Sequence, residues 1–311
     1  MATKYALITG ASSGIGYDLS IELSKKGYKV IGCSPQQFLV DQKPLEEKYG
    51  VISLPLDITN KEQINKCFEK VNEITNGKLS ILYNNAGIAI IGPAIDIDED
   101  KLDKLFQVNV IGHINVTKKF APLVIADRGT IVFTSSVAAR VPLSWISAYN
   151  STKAAIDAYA LTLHGEMKPF GVRVHSVITG GVDTKINENG SFEQIDSFYN
   201  VPGFLESVLT ASSMTKTDSV SPQAYAKKVV KDLTRYRDPG FNLYHGKKAY
   251  LLHWISRYLP LWLTEFFIQA HFRQLKVLKY IATLANKGKF AKTNDKNFVV
   301  KVYKPGDTVE K

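Results

Sequence analysis

Short apolar runs alternate with amphipathic segments over most of this 311-residue chain. Apolar runs of about four to eight residues between turn signals predict strands, whereas apolar positions three and four apart predict helices. Strands are predicted at 5–9, 29–33, 51–56, 79–84, 130–135 and 173–178, and helices at 17–26, 44–49, 61–75, 99–122, 148–168 and 221–234. The alternation predicts an α/β fold, a doubly wound parallel sheet of the Rossmann type with ligand at the carboxyl ends of its strands.

The alternation weakens after Gly180. Residues 187–218 form a long polar stretch, which we interpret as a substrate lid because long loops in compact domains usually serve binding. Residues 1–240 are therefore predicted to form the catalytic domain, and residues 241–311 a C-terminal amphipathic helical extension.

Within this extension, residues 249–268 carry apolar and aromatic side chains at helical spacing. Pro260 is expected to kink or divide the helix, and with Arg257 and Glu265 inside it the segment is a poor bilayer-spanning helix. It fits a helix lying on a membrane or lipid-droplet surface, or a helix packed on the domain or on a partner subunit. The apolar positions are Leu251, Leu252, Ile255, Tyr258, Leu259, Trp262, Leu263, Phe266 and Phe267, and the polar positions opposite them are His253, Arg257 and Thr264.

The net charge of +10 is concentrated in the extension, where residues 241–311 hold 13 Lys and Arg against 4 Asp and Glu. Such a basic region favours anionic partners, either lipid head groups or nucleic acid. We expect no nucleic-acid role, because the lysines of the tail are not interleaved with stacking aromatic residues.

Two further features concern the compartment. Cys33 and Cys67 are too few for a disulfide framework and lack the spacing of a zinc site, so a reducing compartment and no metal are expected. The first residues run straight into a strand without a basic and apolar leader, so catalysis is expected to face the cytosol.

A glycine-rich turn, residues 9–16, joins the first predicted strand to the first predicted helix. Small residues let the backbone approach a pyrophosphate, and free N–H groups at a helix N-terminus attract its charge. The turn indicates a dinucleotide site, with a tight structural turn as the alternative. Gly10-Ala11-Ser12-Ser13-Gly14 also matches the G-x-S-x-G elbow of esterases, which requires acidic and histidine partners later in the chain. No later histidine fits by its context, so this is the weaker interpretation.

Three polar residues suggest a proton donor. Tyr149 and Lys153 are four residues apart at the start of a predicted helix, so their side chains share a face. A nearby ammonium group favours the phenolate and is expected to lower the pKa of Tyr149. Ser136 ends the preceding strand, where its hydroxyl could orient the same carbonyl oxygen. Each residue taken alone also fits a structural role.

Five motifs stand in one order along residues 4–184: Thr9-Gly10-x3-Gly14-x-Gly16, Asn84-Asn85-Ala86-Gly87, Asn109, Ser136 and Tyr149-x3-Lys153. In order and spacing they resemble the short-chain dehydrogenase/reductase family. The resemblance implies an oxidoreductase acting on CH–OH groups, in which Tyr149 protonates the carbonyl oxygen and Ser136 holds it. It also implies that Lys153 binds the nicotinamide ribose and that Asn109 holds a water in a proton relay.

The resemblance further implies a cofactor site. Its expected residues are Thr9, Gly10, Ser12, Ser13, Gly14, Ile15 and Gly16 in the glycine-rich turn, Ser34 after the second strand, Asp57 and Ile58 at the adenine, Asn85, Ala86 and Gly87 in the central cleft, Tyr149 and Lys153 at the ribose, and Gly180, Val182 and Thr184 at the carboxamide. Thr179 stands where the family often has proline. Residues 32–36 lack the carboxylate that binds the ribose 2′-hydroxyl of NAD, so NADPH is expected. The arginine that commonly meets the 2′-phosphate is missing too.

Within the family, segments 112–115, 164–170, 178–182 and 224–227 are similar to fungal reductases of 1-acyldihydroxyacetone phosphate. This likeness implies reduction of a lipid ketone to lysophosphatidic acid in phospholipid biosynthesis, at the cytosolic face of the endoplasmic reticulum membrane or on lipid droplets. By their chain positions near the predicted lid and the tail, Lys185, Lys247 and Lys248 are expected to meet the substrate phosphate. The alternatives are a steroid or retinoid dehydrogenase and a lipid-surface protein with Ser12-dependent esterase activity. A homo-oligomer is a further expectation from the family.

Overall fold

The computed structural model describes residues 3–184, 186, 192–194, 197–212, 219–288 and 301–303. Its strands are β1 (Lys4–Thr9), β2 (Tyr28–Ser34), β3 (Ile52–Pro55), β4 (Ile81–Asn84), β5 (Thr130–Ser136), β6 (Arg173–Thr179), β7 (Phe192–Gln194), β8 (Asn242–His245) and β9 (Lys301–Tyr303). In the described ranges, seven of these form one parallel sheet in the order β3-β2-β1-β4-β5-β6-β8. β7 and β9 pair with each other in antiparallel fashion, outside that sheet.

The helices are α1 (Gly14–Lys25), α2 (Lys43–Tyr49), α3 (Lys61–Thr75), α4 (Glu99–Phe106), α5 (His113–Ala126), α6 (Ser147–Met167), α7 (Phe204–Ser212), α8 (Pro222–Leu233), α9 (Ala249–Tyr258), α10 (Leu261–His271) and α11 (Gln274–Asn286). α4 and α5 are joined by a π-helical stretch, Gln107–Gly112. No described helix is long and apolar enough to cross a bilayer.

Alternate residues of each central strand enter opposite cores. Leu7 of β1 packs with residues of α3, α5 and α6, whereas its neighbours Ala6 and Ile8 pack with residues of α1 and α8. Because both faces are covered, these strands carry apolar residues on both sides, as parallel strands usually do. The core also encloses the two free cysteines, Cys33 and Cys67, whose sulfur atoms lie 3.8 Å apart.

The predicted α/β sheet and its helices are confirmed, with three differences. The predicted helix at 99–122 is divided by the π-helical stretch. β8 was not predicted; it joins the edge of the sheet beside β6, so the sheet extends beyond residue 240. The predicted lid, 187–218, falls partly outside the described residues, and its described part includes α7.

The C-terminal segment also differs from the prediction. Pro260 divides it into α9 and α10, as expected, and α11 follows. The polar side chains His253 and Thr264 are buried, however, while Trp262 is 68% exposed. The apolar side of this segment therefore faces outward in part, which reverses the usual orientation of an amphipathic helix on a domain.

Candidate active site

A cleft of about 1540 Å³ lies at the carboxyl ends of the parallel strands. Of the predicted catalytic and cofactor residues, it is lined by Gly10, Ser12, Ser13, Ile15, Asp57, Ile58, Asn85, Ala86, Gly87, Ser136, Tyr149, Lys153, Gly180, Val182 and Thr184. The remaining ones, Thr9, Gly14, Gly16, Ser34 and Asn109, are not among the residues that line the cleft. The structure thus brings residues from distant parts of the chain to one site, as ligand binding in doubly wound folds requires.

The glycine-rich turn fits a dinucleotide phosphate. A Cβ atom on Gly16 would lie 2.1 Å from the carbonyl oxygen of Gly10, so the turn can close against α1 only with glycine there. The N-cap residue Ser13 makes no side-chain hydrogen bond to α1, and the first turn of α1 contains no acidic residue. The N-terminus of α1 therefore presents N–H groups and positive dipole towards the cleft, which favours an anion.

Buried hydrogen bonds hold this turn against the loop after β4. The hydroxyl of Thr9 accepts hydrogen bonds from the backbone N–H groups of Asn85 at 3.0 Å and Ala86 at 3.1 Å. The side-chain amide of Asn85 donates to the carbonyl oxygens of Thr9 and Gly10, and its oxygen accepts from Thr134. Thr9 and Asn85 therefore fix the backbone that forms the middle of the cleft.

Tyr149, Lys153 and Ser136 converge where β5 meets the start of α6. The Nζ atom of Lys153 lies 5.6 Å from the centroid of the Tyr149 ring and donates to the carbonyl oxygen of Thr134 at 2.9 Å. The Ser136 hydroxyl accepts from the N–H of Ala138 at 3.1 Å, which fixes its position. The three predicted groups are thus assembled around one position in the cleft.

The expected lowering of the tyrosine pKa is not seen. Burial raises the pKa of Tyr149 to about 12, and the nearby Ser136 side chain opposes this only in part. Burial also lowers the pKa of Lys153 to about 8. Desolvation penalises both charged forms, so Tyr149 is a protonated phenol at neutral pH, which is the form that donates a proton to a carbonyl oxygen.

Asn109 and His113 support the loop after β4 from the π-helical stretch and the start of α5. The Asn109 side chain accepts from the N–H of Ile88 and donates to its carbonyl oxygen, both at 2.9 Å, and also donates to Thr152. It is fully buried and occupied by these contacts. The Asn109 side chain therefore positions the loop after β4, and the expected role of Asn109 in holding a water in a proton relay stays a prediction.

His113 was not predicted as a site residue. Burial lowers its pKa to about 3, helped by the charge of Lys153, so the ring is neutral. Its Nε2 atom lies 2.7 Å from the carbonyl oxygen of Ala86 and must carry the hydrogen, since a carbonyl can only accept. His113 follows Asn109 by four residues, and residues at this spacing share a helix face. This spacing was the sequence signal that could have placed His113 beside the predicted site residue.

The predicted contact of Ser34 with the cofactor is not supported by its position. Its hydroxyl is 1% exposed, accepts from the N–H of Ser12 and donates to the carbonyl oxygen of Cys33. Ser34 therefore holds the backbone of the glycine-rich turn in place through its hydrogen bond with Ser12. After β2 the cleft is lined instead by Pro35, Gln37, Phe38 and Asp41, and after β3 it is lined by Asp57 and Ile58.

At the other end, Gly180 packs directly against the segment before α9. A Cβ atom on Gly180 would lie 2.1 Å from the carbonyl oxygen of Lys247, and the N–H of Gly181 donates to that same oxygen at 3.0 Å. Lys247 and Lys248 consequently line the cleft, whereas Lys185 lies outside the described residues.

The C-terminal helices form an apolar wall that sequence reasoning did not assign to the site. Leu252 of α9 and Ile268 of α10 pack in the same apolar cluster as Tyr149. The further lining residues from this region are Leu251, Ile255, Phe267, His271 and Phe272. Helical periodicity indicated amphipathic character but carried no information on which strand ends these helices would approach.

The esterase alternative finds no support in the contacts of Ser12. In the ranges that the structure describes, Ser12 donates its backbone N–H to the Ser34 hydroxyl. The histidines with hydrogen bonds are directed elsewhere, as in His113 to Ala86, His245 to Asp232 and His253 to Arg140. No group of metal-ligating residues occurs in these ranges either.

Comparisons with known proteins agree with this geometry. A family model described as short chain dehydrogenase matches residues 4–194. An NADPH-dependent 1-acyldihydroxyacetone phosphate reductase of Saccharomyces cerevisiae is 39% identical over 280 residues, 88% of this chain and 93% of its own length. A short-chain dehydrogenase of Penicillium ochrochloron is 34% identical over 85% of this chain and 96% of its own length.

A solved short-chain dehydrogenase from Streptomyces avermitilis superposes with a TM-score of 0.70 at 23% identity, covering 94% of this chain and all of its own. At that level of identity the likeness supports the fold alone. The family model and the curated relatives go further, and they agree with the convergence of Ser136, Tyr149 and Lys153 beside a dinucleotide turn. This protein is an oxidoreductase that belongs to the short-chain dehydrogenase family.

Proposed function

We propose that this protein is an NADPH-dependent reductase of a lipid ketone, with 1-acyldihydroxyacetone phosphate as the substrate and 1-acylglycerol 3-phosphate as the product. The observation that carries this proposal is the 39% identity to the yeast reductase across 93% of that protein's length and 88% of this chain. A second reductase of the same name, from Schizosaccharomyces pombe, is 40% identical over 62% of its length.

The residues present suit a dinucleotide cofactor. The N-terminus of α1 would hold its pyrophosphate, Lys153 the nicotinamide ribose, and Val182 and Thr184 the carboxamide end. When bound, the cofactor supplies a hydride to the substrate carbonyl carbon. Residues 32–37, at the end of β2 and just after it, contain no carboxylate, and the neutral Gln37 lines the cleft there, which favours NADPH over NADH. The first carboxylate along the chain that lines this part of the cleft is Asp41.

The protein's own groups handle the proton. The Tyr149 phenol donates its proton to the carbonyl oxygen, and the Ser136 hydroxyl donates a hydrogen bond to the same oxygen. The ammonium group of Lys153 stabilises the phenolate that Tyr149 leaves behind, until a solvent proton restores the phenol. Buried Asn109 and His113 keep the loop after β4 in place during this transfer.

The two ends of the proposed substrate match two parts of the cleft. Lys247 and Lys248 line it next to Gly180 and Gly181, where a phosphate would meet positive charge. The apolar wall from α9 and α10 would take the acyl chain. A steroid or retinoid would use the apolar wall but would have no need of the lysines.

Location and assembly are part of the same proposal. A substrate with an acyl chain resides in membranes, so we expect the protein at a lipid surface, such as the cytosolic face of the endoplasmic reticulum membrane or a lipid droplet. A homo-oligomer remains an expectation from the family.

The test is reduction of 1-acyldihydroxyacetone phosphate by the purified protein, followed as loss of nicotinamide absorbance. We expect oxidation of NADPH in preference to NADH, and its loss on Tyr149→Phe by roughly a hundredfold or more. Retention of activity in that variant would contradict the proposed proton donor.

A second experiment tests whether the protein prefers the phosphate ester to uncharged ketones. Lys247→Ala combined with Lys248→Ala should raise the KM for the phosphorylated ketone, because two charges opposite the phosphate are removed. The matched control is Lys66→Ala with Lys70→Ala, two exposed lysines of α3 that do not line the cleft. Equal reduction of a steroid or retinal, with KM values unchanged in both variants, would favour the alternative substrate class.

A further inference from the structure

α9 and α10 turn a group of large apolar side chains towards solvent. Their exposed fractions range from 49% for Phe266 to 72% for Tyr258. We call this group the outer apolar face, and it comprises Tyr250, Leu251, Tyr258, Leu261, Trp262, Phe266 and Phe267. Apolar residues clustered in this way, with buried polar residues behind them, mark an interaction surface rather than an ordinary exterior.

The outer apolar face is continuous with the active-site cleft. Leu251 and Phe267 are each about half exposed, and both also line the cleft. Behind them, Leu252 and Ile268 line it as well and pack in the cluster that includes Tyr149. Apolar side chains of α9 and α10 therefore line the cleft both beside the proton donor and at the outer apolar face.

The charge around this face identifies the partner. Residues 247–288 contain seven Lys and Arg and a single acidic residue, Glu265. All seven basic residues are exposed. Aromatic side chains surrounded by basic residues fit the surface of an anionic lipid layer. The aromatic rings enter the head-group region there, and the basic side chains contact the lipid phosphates. A second copy of the chain docked on this same face would bring like charges together across the contact, which opposes self-association through this face.

We propose that the outer apolar face docks on an anionic phospholipid surface, so that the acyl chain passes from the lipid layer into the cleft between Leu251 and Phe267. The docking stands independently of the reaction, whereas the passage of an acyl chain rests on the proposed function. Entry from the lipid side spares a long acyl chain the cost of crossing water.

Docking is tested by flotation of the full chain with vesicles, in the absence of substrate. Vesicles of phosphatidylcholine containing phosphatidylserine should bind it more strongly than vesicles of phosphatidylcholine alone. Trp262→Gln with Phe266→Gln should reduce binding by roughly tenfold or more, because both side chains belong to the outer apolar face and neither lines the cleft. The matched control is Phe170→Gln with Tyr236→Gln, two exposed aromatic residues elsewhere, which should change binding less than about twofold.

Two results would overturn the docking. One is equal vesicle binding by the Trp262 and Phe266 variant and the wild-type protein. The other is a dimer, measured by light scattering, that this variant alone dissociates, since the face would then contact a second copy. A thermal unfolding midpoint unchanged from that of the control variant verifies that the substitutions act at the surface.

Acyl-chain entry is tested separately by activity. The Trp262 and Phe266 variant should lose activity on a long-chain acyldihydroxyacetone phosphate in vesicles and keep its activity on a short-chain, water-soluble ester. Equal loss on both esters would contradict entry from the lipid layer. Vesicle binding without reduction of either ester would reject the proposed function and leave the docking intact.

Discussion

The cofactor side of the cleft, which consists of the glycine-rich turn and the loop after β4, differs in construction from the C-terminal wall, which consists of α9 and α10. On the cofactor side, buried polar side chains hold backbone atoms in place, as Thr9 does for Asn85 and Ala86. The C-terminal wall consists of apolar side chains, among which Phe267 is 52% exposed. Backbone positions fixed by several hydrogen bonds tolerate little change, whereas an open apolar wall can be reshaped with graded consequences. Reaction chemistry and substrate preference are therefore separable in this molecule.

A polar cluster joins the two regions. Arg140, which follows β5, donates to Asp157 of α6 at 2.6 Å and to Asn242 of β8 at 3.2 Å, and it lies 3.4 Å from His253 of α9. The other carboxylate oxygen of Asp157 accepts from Ser176 at 2.6 Å. Because α6 also carries Tyr149 and Lys153, this cluster sets the position of the C-terminal wall relative to the proton donor.

The largest effect is expected on the cofactor side, from Gly16→Ala. The added methyl group would lie 2.1 Å from the carbonyl oxygen of Gly10, so either the turn or α1 must move. Overpacking of this kind costs about 1–3 kcal/mol, and kcat/KM for NADPH should fall by roughly a hundredfold because the phosphate turn is displaced. Steady-state kinetics and thermal unfolding measure the two effects.

Gly165→Ala is the matched control. Gly165 lies in α6, and its added methyl group would meet nothing within 4 Å. The substitution should leave kinetics unchanged and stabilise the fold by about 0.5–1 kcal/mol, because alanine favours a helix more than glycine does. Similar kinetics for the two variants would show that the turn tolerates a side chain, and would remove the contrast drawn between the two regions.

The sequence was sufficient to predict the parts of the site that depend on the order and spacing of elements and motifs along the chain. Strand and helix alternation predicted the sheet, and motif spacing predicted the convergence of Ser136, Tyr149 and Lys153, which the structure contains. These predictions succeed because parallel strands place their carboxyl ends at one edge, so that residues after each strand must meet there.

Other features depend on tertiary contacts that no local pattern encodes. The second strand ends in Ser34, yet only the packed turn reveals that its hydroxyl faces Ser12 rather than the cleft. The effect of Lys153 on Tyr149 was predicted from proximity, but burial has the larger influence on both pKa values. Strand β8, Asn242–His245, mixes polar with apolar residues and contains no apolar run, so its place in the sheet depends on its pairing with β6.

The second prediction concerns pH and sharpens the description of the cofactor side. Burial lowers the pKa of Lys153 to about 8, so its ammonium group is present below that pH and lost above it. The plot of kcat/KM for NADPH, which reports ionisations of the free enzyme, should therefore fall about tenfold between about pH 7 and 9. Tyr149, with a pKa of about 12, stays protonated in this range and adds no step.

Lys153→Arg provides the comparison, since a guanidinium group stays protonated throughout this range. The variant should be less active but should show no fall near pH 8. A wild-type profile that is flat to pH 10 would show that kcat/KM does not depend on the charge of Lys153. The same fall in both proteins would assign the ionisation to another group.

The smallest effect is expected at the C-terminal wall, from Leu252→Ala. Leu252 is partly buried, lines the cleft and packs in the cluster of Tyr149, so its truncation removes apolar contact without disturbing the phosphate turn. The KM for a long-chain ketone should rise by roughly five- to tenfold, with kcat and the KM for NADPH nearly unchanged, because even one methylene contact in an apolar pocket contributes about 1 kcal/mol of discrimination or more. Leu284→Ala in α11, which does not line the cleft, is the matched control. A parallel loss of NADPH affinity in Leu252→Ala would mean that the wall and the cofactor side move together, through the Arg140 cluster that connects them.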